Sequence, residues 1–185
     1  MLTPMFRFGP ILLLCALPSW AQAECPPLPD RTAETEAILR ELKSAKTEMD
    51  GRRLSNDLWA IWTVAPDAQA QALLDAGMAR RQSYDYLGAI EQFDALVAYC
   101  PDYAEGYNQR AFARFLREEY VEALADLERA LALNPRHTGA LSGMALTLMG
   151  LGRMRTAQDV LRDALELNPW LPERAYLIEP PGKDI

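Results

Sequence analysis

The sequence has almost none of the residues from which catalytic and metal sites are commonly built. It contains a single histidine, His137, and three cysteines, none of which belongs to a Cys-x-x-Cys pair. No second histidine is present to complete a metal site. Gly-x-Ser-x-Gly elbows, glycine-rich phosphate loops and dinucleotide fingerprints are also absent. We therefore predict a protein that uses no cofactor or metal and is not an enzyme. Catalysis would have to rest on His137, which has no partner visible in the sequence.

Positive charge is also in short supply. The chain has 19 Lys and Arg against 26 Asp and Glu, which gives a formal net charge of −7. A chain this acidic repels phosphate backbones and anionic lipid head groups. This argues against nucleic acid as the main partner and against docking on a membrane surface. The simplest explanation of the acidic residues is that they keep a helical surface soluble.

Long apolar runs are missing except at the amino terminus. Residues 8–17 are apolar, Arg7 precedes them, Pro18 breaks the run, and residues 21–23 form a small-x-small cleavage site. The run is shorter than the ~20 residues that a spanning helix needs. We predict that residues 1–23 are a signal peptide cleaved before Glu24, and that the mature chain is exported, with the periplasm as the expected compartment, and has no membrane span. An uncleaved anchor is the alternative.

Cleavage would leave two cysteines, Cys25 and Cys100. Cys25 lies in a proline-rich segment without helical periodicity, residues 24–31, which we expect to form an extended arm. Cys100 stands at the end of a predicted helix, just before Pro101. In an oxidising compartment the two thiols can form a disulfide that ties the arm to the body. The sequence cannot place the arm, so two unpaired thiols stay the alternative.

Prolines reveal an internal repeat, because Pro101, Pro135 and Pro169 are spaced 34 residues apart. Alignment on them brings small residues together in two columns and large apolar residues in two more. The small columns are Gly77, Ala111 and Ala145, and Ala89, Ala123 and Ala157; the large columns are Leu73, Tyr107 and Leu141, and Phe93, Leu127 and Leu161. Small residues let two helices of a hairpin approach closely, and large ones fill the space between hairpins. Proline cannot continue a helix, so it forces the turn into the next unit.

With these columns the chain resembles the tetratricopeptide-repeat family, whose 34-residue unit is a pair of helices. The resemblance implies an all-α fold, an α-solenoid of three hairpins over residues 70–103, 104–137 and 138–171. Gly152 is expected to supply a left-handed turn residue in the third unit. Residues 172–185 would form a C-terminal cap and tail.

A weaker helical pattern precedes the repeats, over residues 32–66. Gly51 interrupts it, and Ser55 is the expected N-cap of its second helix. Its columns of small residues do not match the repeat, so we expect a degenerate N-terminal helical pair that caps the stack. Trp59 and Trp62 would fill the wider gap between its helices.

The resemblance also implies a concave groove lined by the first helix of each unit. Its family positions give the candidate partner-binding residues Leu74, Met78, Arg81, Asn108, Phe112, Phe115, Ser142 and Met149. The alternative is that the aromatic residues pack against neighbouring units, or that the arm or tail covers them. Arg110 is expected to pair with Asp126 on the facing helix as a structural contact.

The predicted function is that of a scaffold or adaptor that binds a protein or peptide, conceivably in envelope assembly or maturation. The carboxylate clamp of cytosolic co-chaperone repeats is not expected, because among the fifth and ninth positions of the units only Asn108 fits it. The alternative function is a self-associating structural protein whose hairpin ends stack on another copy.

Overall fold

The computed structural model describes residues 24–178. The predicted signal peptide and the last residues of the tail, 179–185, lie outside this range. The described chain is all-helical, with eight α-helices and one 3-10 helix, which confirms the predicted fold class. The α-helices are α1 Thr32–Ser44, α2 Glu48–Trp62, α3 Ala68–Gln82, α4 Tyr86–Tyr99, α5 Ala104–Leu116, α6 Tyr120–Leu133, α7 Thr138–Gly150 and α8 Met154–Leu167. The 3-10 helix, Pro172–Tyr176, follows α8.

Three helical hairpins, α3–α4, α5–α6 and α7–α8, stack in chain order, each contacting the next. The columns of small residues lie where the two helices of a hairpin meet. Ala89, Ala123 and Ala157 are fully buried, and a Cβ added to Gly77 would overlap the ring of Phe93. Close approach of the backbones therefore depends on these small side chains.

The turn inside each hairpin uses a left-handed residue at the same repeat position. These residues are Tyr84 (φ 65°), Glu118 (φ 63°) and Gly152 (φ 72°). The left-handed conformation expected at Gly152 is confirmed. The other two turns adopt it with non-glycine residues, which find it sterically less favourable. The turn geometry is therefore imposed by the hairpin rather than by glycine.

The N-terminal pair, α1 and α2, does not continue the stack as we expected. It folds back over the concave side and reaches the far end of the solenoid, where α1 contacts α8. Trp170, just after α8, sits against Gly51, and its indole Nε1 donates to the carbonyl of Leu42 at 3.0 Å. Gly51 thus lies inside α2 and makes room for a ring, instead of interrupting a helix.

The start of α2 also differs from the expected one. Its N-cap is Thr47, whose hydroxyl accepts from the backbone N–H of Asp50, and not Ser55. The hydroxyl of Ser55 lies in mid-helix and accepts from Asn168 Nδ2 at 2.9 Å. The helix therefore begins at an earlier local cap, and Ser55 is left inside it, where it contacts Asn168.

The arm before α1 is tied to the repeats by a disulfide. Cys25 is bonded to Cys100, which follows α4, with 5.1 Å between their Cα atoms. Cys100 is buried in the apolar core around Phe93. Of the two states left open by the sequence, the structure contains the bridged one.

Candidate functional site: the concave face

An open cavity of about 390 Å³ lies on the concave side of the stack. All three repeats contribute to it, through α3, α5 and α7, while Trp59 of α2 and Glu173 of the 3-10 helix close it from outside. Its lining is mostly apolar, and Phe112 remains 43% exposed. We call this space the open cavity; its lining residues are Trp59, Met78, Arg81, Asn108, Gln109, Ala111, Phe112, Phe115, Leu127, Gly139, Ser142, Gly143, Leu146, Thr147 and Glu173.

Six of the eight candidate groove residues meet in the open cavity. They are Met78, Arg81, Asn108, Phe112, Phe115 and Ser142. They come from three helices that are far apart in sequence, and the 34-residue spacing is what aligns them on one face. A partner bound on this face would meet these side chains.

Leu74 and Met149 do not line the open cavity. Leu74 is fully buried in the apolar cluster with Ala65, Phe93 and Tyr103. The connection between α2 and α3 folds over the first repeat at this point, so the fifth position of that repeat becomes core. Met149, near the end of α7, is half-buried outside the lining. The groove is accordingly shorter at both ends than the family positions implied.

Arg81 is the one basic side chain in the open cavity. Its Nη2 donates to Gln109 Oε1 at 3.1 Å, and its guanidinium carbon lies 4.3 Å from the centre of the Phe112 ring. Burial lowers the pKa of Arg81, and the nearby charge of Glu105 opposes that effect. The guanidinium therefore stacks on the Phe112 ring in a cation–π contact, and its hydrogen-bond partner, Gln109, is a neutral side chain.

A second part of the concave face is covered by α2. The ring of Trp62 stacks on His137 with centroids 4.0 Å apart. Beneath it, His137 Nε2 lies 2.7 Å from Glu105 Oε2, and both side chains are only 1% exposed. Glu105 also accepts from Asn108 and Gln109. We call this region, centred on Glu105 and His137, the covered half.

The hydrogen bonds fix the role of His137. Its Nδ1 accepts from the backbone N–H of Ala140 and caps α7, so in the neutral ring the proton is assigned to Nε2, which donates to Glu105. The sequence showed no partner for His137 because Glu105 is 32 residues away. The only available signal was the place of Glu105 at the second, groove-facing position of its repeat.

The expected Arg110–Asp126 pair is present between α5 and α6. Arg110 Nε and Nη2 donate to the two oxygens of Asp126 at 2.9 and 2.6 Å, and Arg114 adds a third contact at 2.8 Å. Burial opposes the charge of Arg110, but bonding to Asp126 and then to Asp94 outweighs it and raises the pKa of Arg110. The pair joins α5 to α6 and does not line the open cavity.

Among residues 24–178, no group of three or more His, Cys, Asp or Glu side chains is arranged to hold a metal ion. None of the helices in the described part of the chain combines the length and apolar character needed to cross a membrane.

Known proteins with helical repeats are similar to this chain in sequence and in fold. A model of the family described as Tetratricopeptide repeat matches residues 114–177. A TPR repeat-containing protein of Rhizobium etli is 28% identical over 135 residues, which are 73% of this chain and 62% of that protein. The chain thus spans less than two thirds of the length of that curated relative.

Two solved structures extend the comparison to the fold. The first TPR of Spaghetti (RPAP3), bound to the HSP90 peptide SRMEEVD, is 25% identical with a TM-score of 0.57, over 58% of this chain and 88% of that one. The crystal structure of MamA is 21% identical with a TM-score of 0.55, over 80% of this chain and 81% of that one. At 21% identity the second likeness shows the fold alone.

Stacked hairpins with small residues at their crossings and a lined concave face define an α-solenoid of helical repeats. The 34-residue period, the family match over residues 114–177 and the solved structures indicate the particular kind: the solenoid is similar to those of tetratricopeptide-repeat proteins.

Proposed function

We propose that this protein is a scaffold or adaptor that binds a protein or peptide segment in the open cavity. The observation that carries the proposal is the exposed ring of Phe112 at the floor of a cavity built by all three repeats. An apolar cavity with a few polar groups is the usual form of a binding site. Met78 and Phe115 add adaptable apolar surface to it. The similar RPAP3 repeat, solved with an HSP90 peptide bound, supports a peptide as the partner.

The chemistry of the open cavity favours a segment with large apolar side chains. Met78, Phe112 and Leu146 line it at ninth positions, and Leu74 is withdrawn into the core. These residues cannot donate hydrogen bonds to a terminal carboxylate. Arg81 is the single basic group, and it is already stacked on Phe112. An acidic peptide tail held by a clamp of several donors is therefore not the partner we propose.

We propose further that the protein works outside the cytoplasm, in the periplasm, in an envelope assembly or maturation process. The disulfide between Cys25 and Cys100 supports this, because disulfides persist in oxidising compartments. N-terminal sequencing of the protein from an envelope fraction tests the compartment. A first residue at Glu24 is expected, and an intact residue 1 in the cytosolic fraction would contradict it.

The binding proposal is tested by panning a peptide display library on the oxidised protein and on matched variants. Phe112→Ala and Met78→Ala should lose the enriched peptides because both side chains line the open cavity. Val121→Ala is the control, since Val121 is exposed on α6 and outside the lining. Circular dichroism must show equal helicity for all variants. Peptides retained equally by Phe112→Ala and Val121→Ala would place binding elsewhere. Light scattering on the same samples tests self-association, the alternative role.

A further inference from the structure

The covered half of the concave face is polar although it is buried. Glu105 and His137 are each 1% exposed beneath Trp62, and Gln109 is buried beside them. Charged side chains are almost never fully buried unless they are paired, and burial of such a pair gains little stability. Polar groups of this kind are expected on a face that meets solvent or a partner, and here Trp62 of α2 covers them.

The occupant has a core of its own. A cluster separate from the apolar clusters of the repeats is formed by Leu39, Leu42, Leu54, Leu58, Ile61 and Trp62. Only Leu167 and Trp170 from the end of the stack pack against that cluster. Separate clusters joined by few side chains open with lower free energy than a continuous core. The N-terminal pair is thus built as a unit that rests on the stack.

The attachments of this unit are mainly polar and are spread along both of its helices. Glu36 bridges to Arg136 at 2.8 Å, and Ser55 accepts from Asn168. Trp170 donates to the Leu42 carbonyl, and the carbonyl of Trp62 accepts from the Tyr103 hydroxyl at 2.7 Å. The disulfide holds the arm ahead of α1. Between these points two aromatic side chains make the contact with the groove.

Those two side chains show what the surface accepts. Trp59 and Trp62 are three residues apart, so they stand on one face of α2, with ring centroids 6.0 Å apart. Trp62 stacks on His137, and the edge of Trp59 meets the same imidazole at 6.2 Å. Gly139 makes room for this edge, since a Cβ there would lie 3.1 Å from the Trp59 ring.

We propose that the covered half is a second binding surface, which takes an amphipathic helix presenting two aromatic side chains three residues apart. In this structure the chain's own α2 fills it. A partner helix of the same chemistry binds when α1 and α2 swing away, with its aromatic rings on His137 and over Gly139. This surface adjoins the open cavity, whose lining includes Trp59 and Gly139, but its centre at Glu105 and His137 lies outside that lining. The proposal therefore does not rest on the peptide-binding role proposed above.

The probe is a fluorescent synthetic peptide of residues 47–63, compared with the same peptide carrying Trp59→Ala and Trp62→Ala. Each is titrated by fluorescence anisotropy into wild-type protein and into Trp170→Ala, with and without reductant. Loss of Trp170 and of the disulfide should free α2, so reduced Trp170→Ala is expected to bind the tryptophan peptide at least about tenfold more tightly than the oxidised wild type. The alanine peptide should bind neither.

Hydrogen exchange on the same samples distinguishes release of α2 from unfolding of the whole stack. Faster exchange in α2, with α5 and α7 unchanged, is expected in reduced Trp170→Ala and shows that the stack remains folded. Should Trp170→Ala unfold as a whole, reduced wild type replaces it in both measurements. Equal binding of the two peptides, absence of binding after α2 is released, or α2 amides as protected as those of α5 would each overturn the proposal. Adding Phe112→Ala should leave tryptophan-peptide binding within about twofold, which separates this surface from the open cavity.

Discussion

The repeat stack and the N-terminal pair are both helical, but they are held together in different ways. In the stack each kind of contact occurs three times, once per repeat, as with Ala89, Ala123 and Ala157. In the N-terminal pair each contact to the rest of the molecule occurs once, as with Trp170 against Gly51. Repeated contacts give one continuous structure whose units support their neighbours. Contacts that occur once make a region that one substitution can release.

The largest effect is expected for Phe93→Ala in the stack. Phe93 is fully buried and fills the space against Gly77, so its removal leaves a cavity in the first repeat. The free energy of unfolding should fall by about 3–5 kcal/mol. Urea denaturation followed by circular dichroism measures this. Phe112→Ala, at a half-exposed position, is the control and should cost less than half as much. Equal losses of unfolding free energy in the two variants would mean that Phe93 does not fill a packed core.

A smaller and more local effect is expected for Trp170→Ala. The half-buried indole joins α1 and α2 to the end of the stack, and its loss should cost about 2 kcal/mol, with faster hydrogen exchange confined to residues 32–62. Gly51→Ala tests the same contact through α2, because the added Cβ would displace the Trp170 ring. Alanine favours helices over glycine by about 1 kcal/mol. A net stabilisation by Gly51→Ala would therefore show that Trp170 does not occupy this position.

The smallest effect concerns the junction between the two regions, at Asp67. Its carboxylate caps α3 by accepting from Ala70 N–H, and it also accepts from the Tyr99 hydroxyl; both bonds lower its pKa below the ordinary 3.8. Because the folded pKa is the lower one, the stabilisation is present above about pH 4 and is lost as the pH falls through the folded value.

Asp67→Asn keeps a capping oxygen and removes the charge. Thermal melts at pH 7 should therefore show a slightly lower Tm for Asp67→Asn than for wild type, and this difference should shrink as the pH falls below about 4. A difference that stays constant through that fall would show that the charge of Asp67 has no part in holding α3.

The same contrast explains how much could be predicted from the sequence. The 34-residue period fixed which residues face the partner helix in each hairpin, and six of eight groove candidates meet in the open cavity. Because each repeat position occurs three times in the sequence, three residues indicate its role independently. The fold-back of α1 and α2 had no such redundancy. It depends on Gly51, Ser55 and Trp170, which only have meaning once Asn168 and Leu42 are known to lie beside them.

Leu74 and His137 show why the remaining site residues were misjudged. Leu74 occupies a groove position by the period, but the connection after α2 covers it. His137 looked like a lone turn residue because its partner, Glu105, lies at the opposite end of the same repeat. Both outcomes follow from non-local packing, which local pattern and spacing do not encode.

The disulfide has a consequence for competition at the concave face. With Cys25 bonded to Cys100, the segment that carries α2 stays attached to the stack at both ends, even when its helix lifts off. A tethered segment acts at an effective concentration of the order of millimolar. A partner helix must therefore bind tightly enough to compete with α2 at that effective concentration. In the reduced chain one of the two tethers is lost, so a weaker partner can compete. The oxidation state of one bond thereby sets how strong a competitor must be.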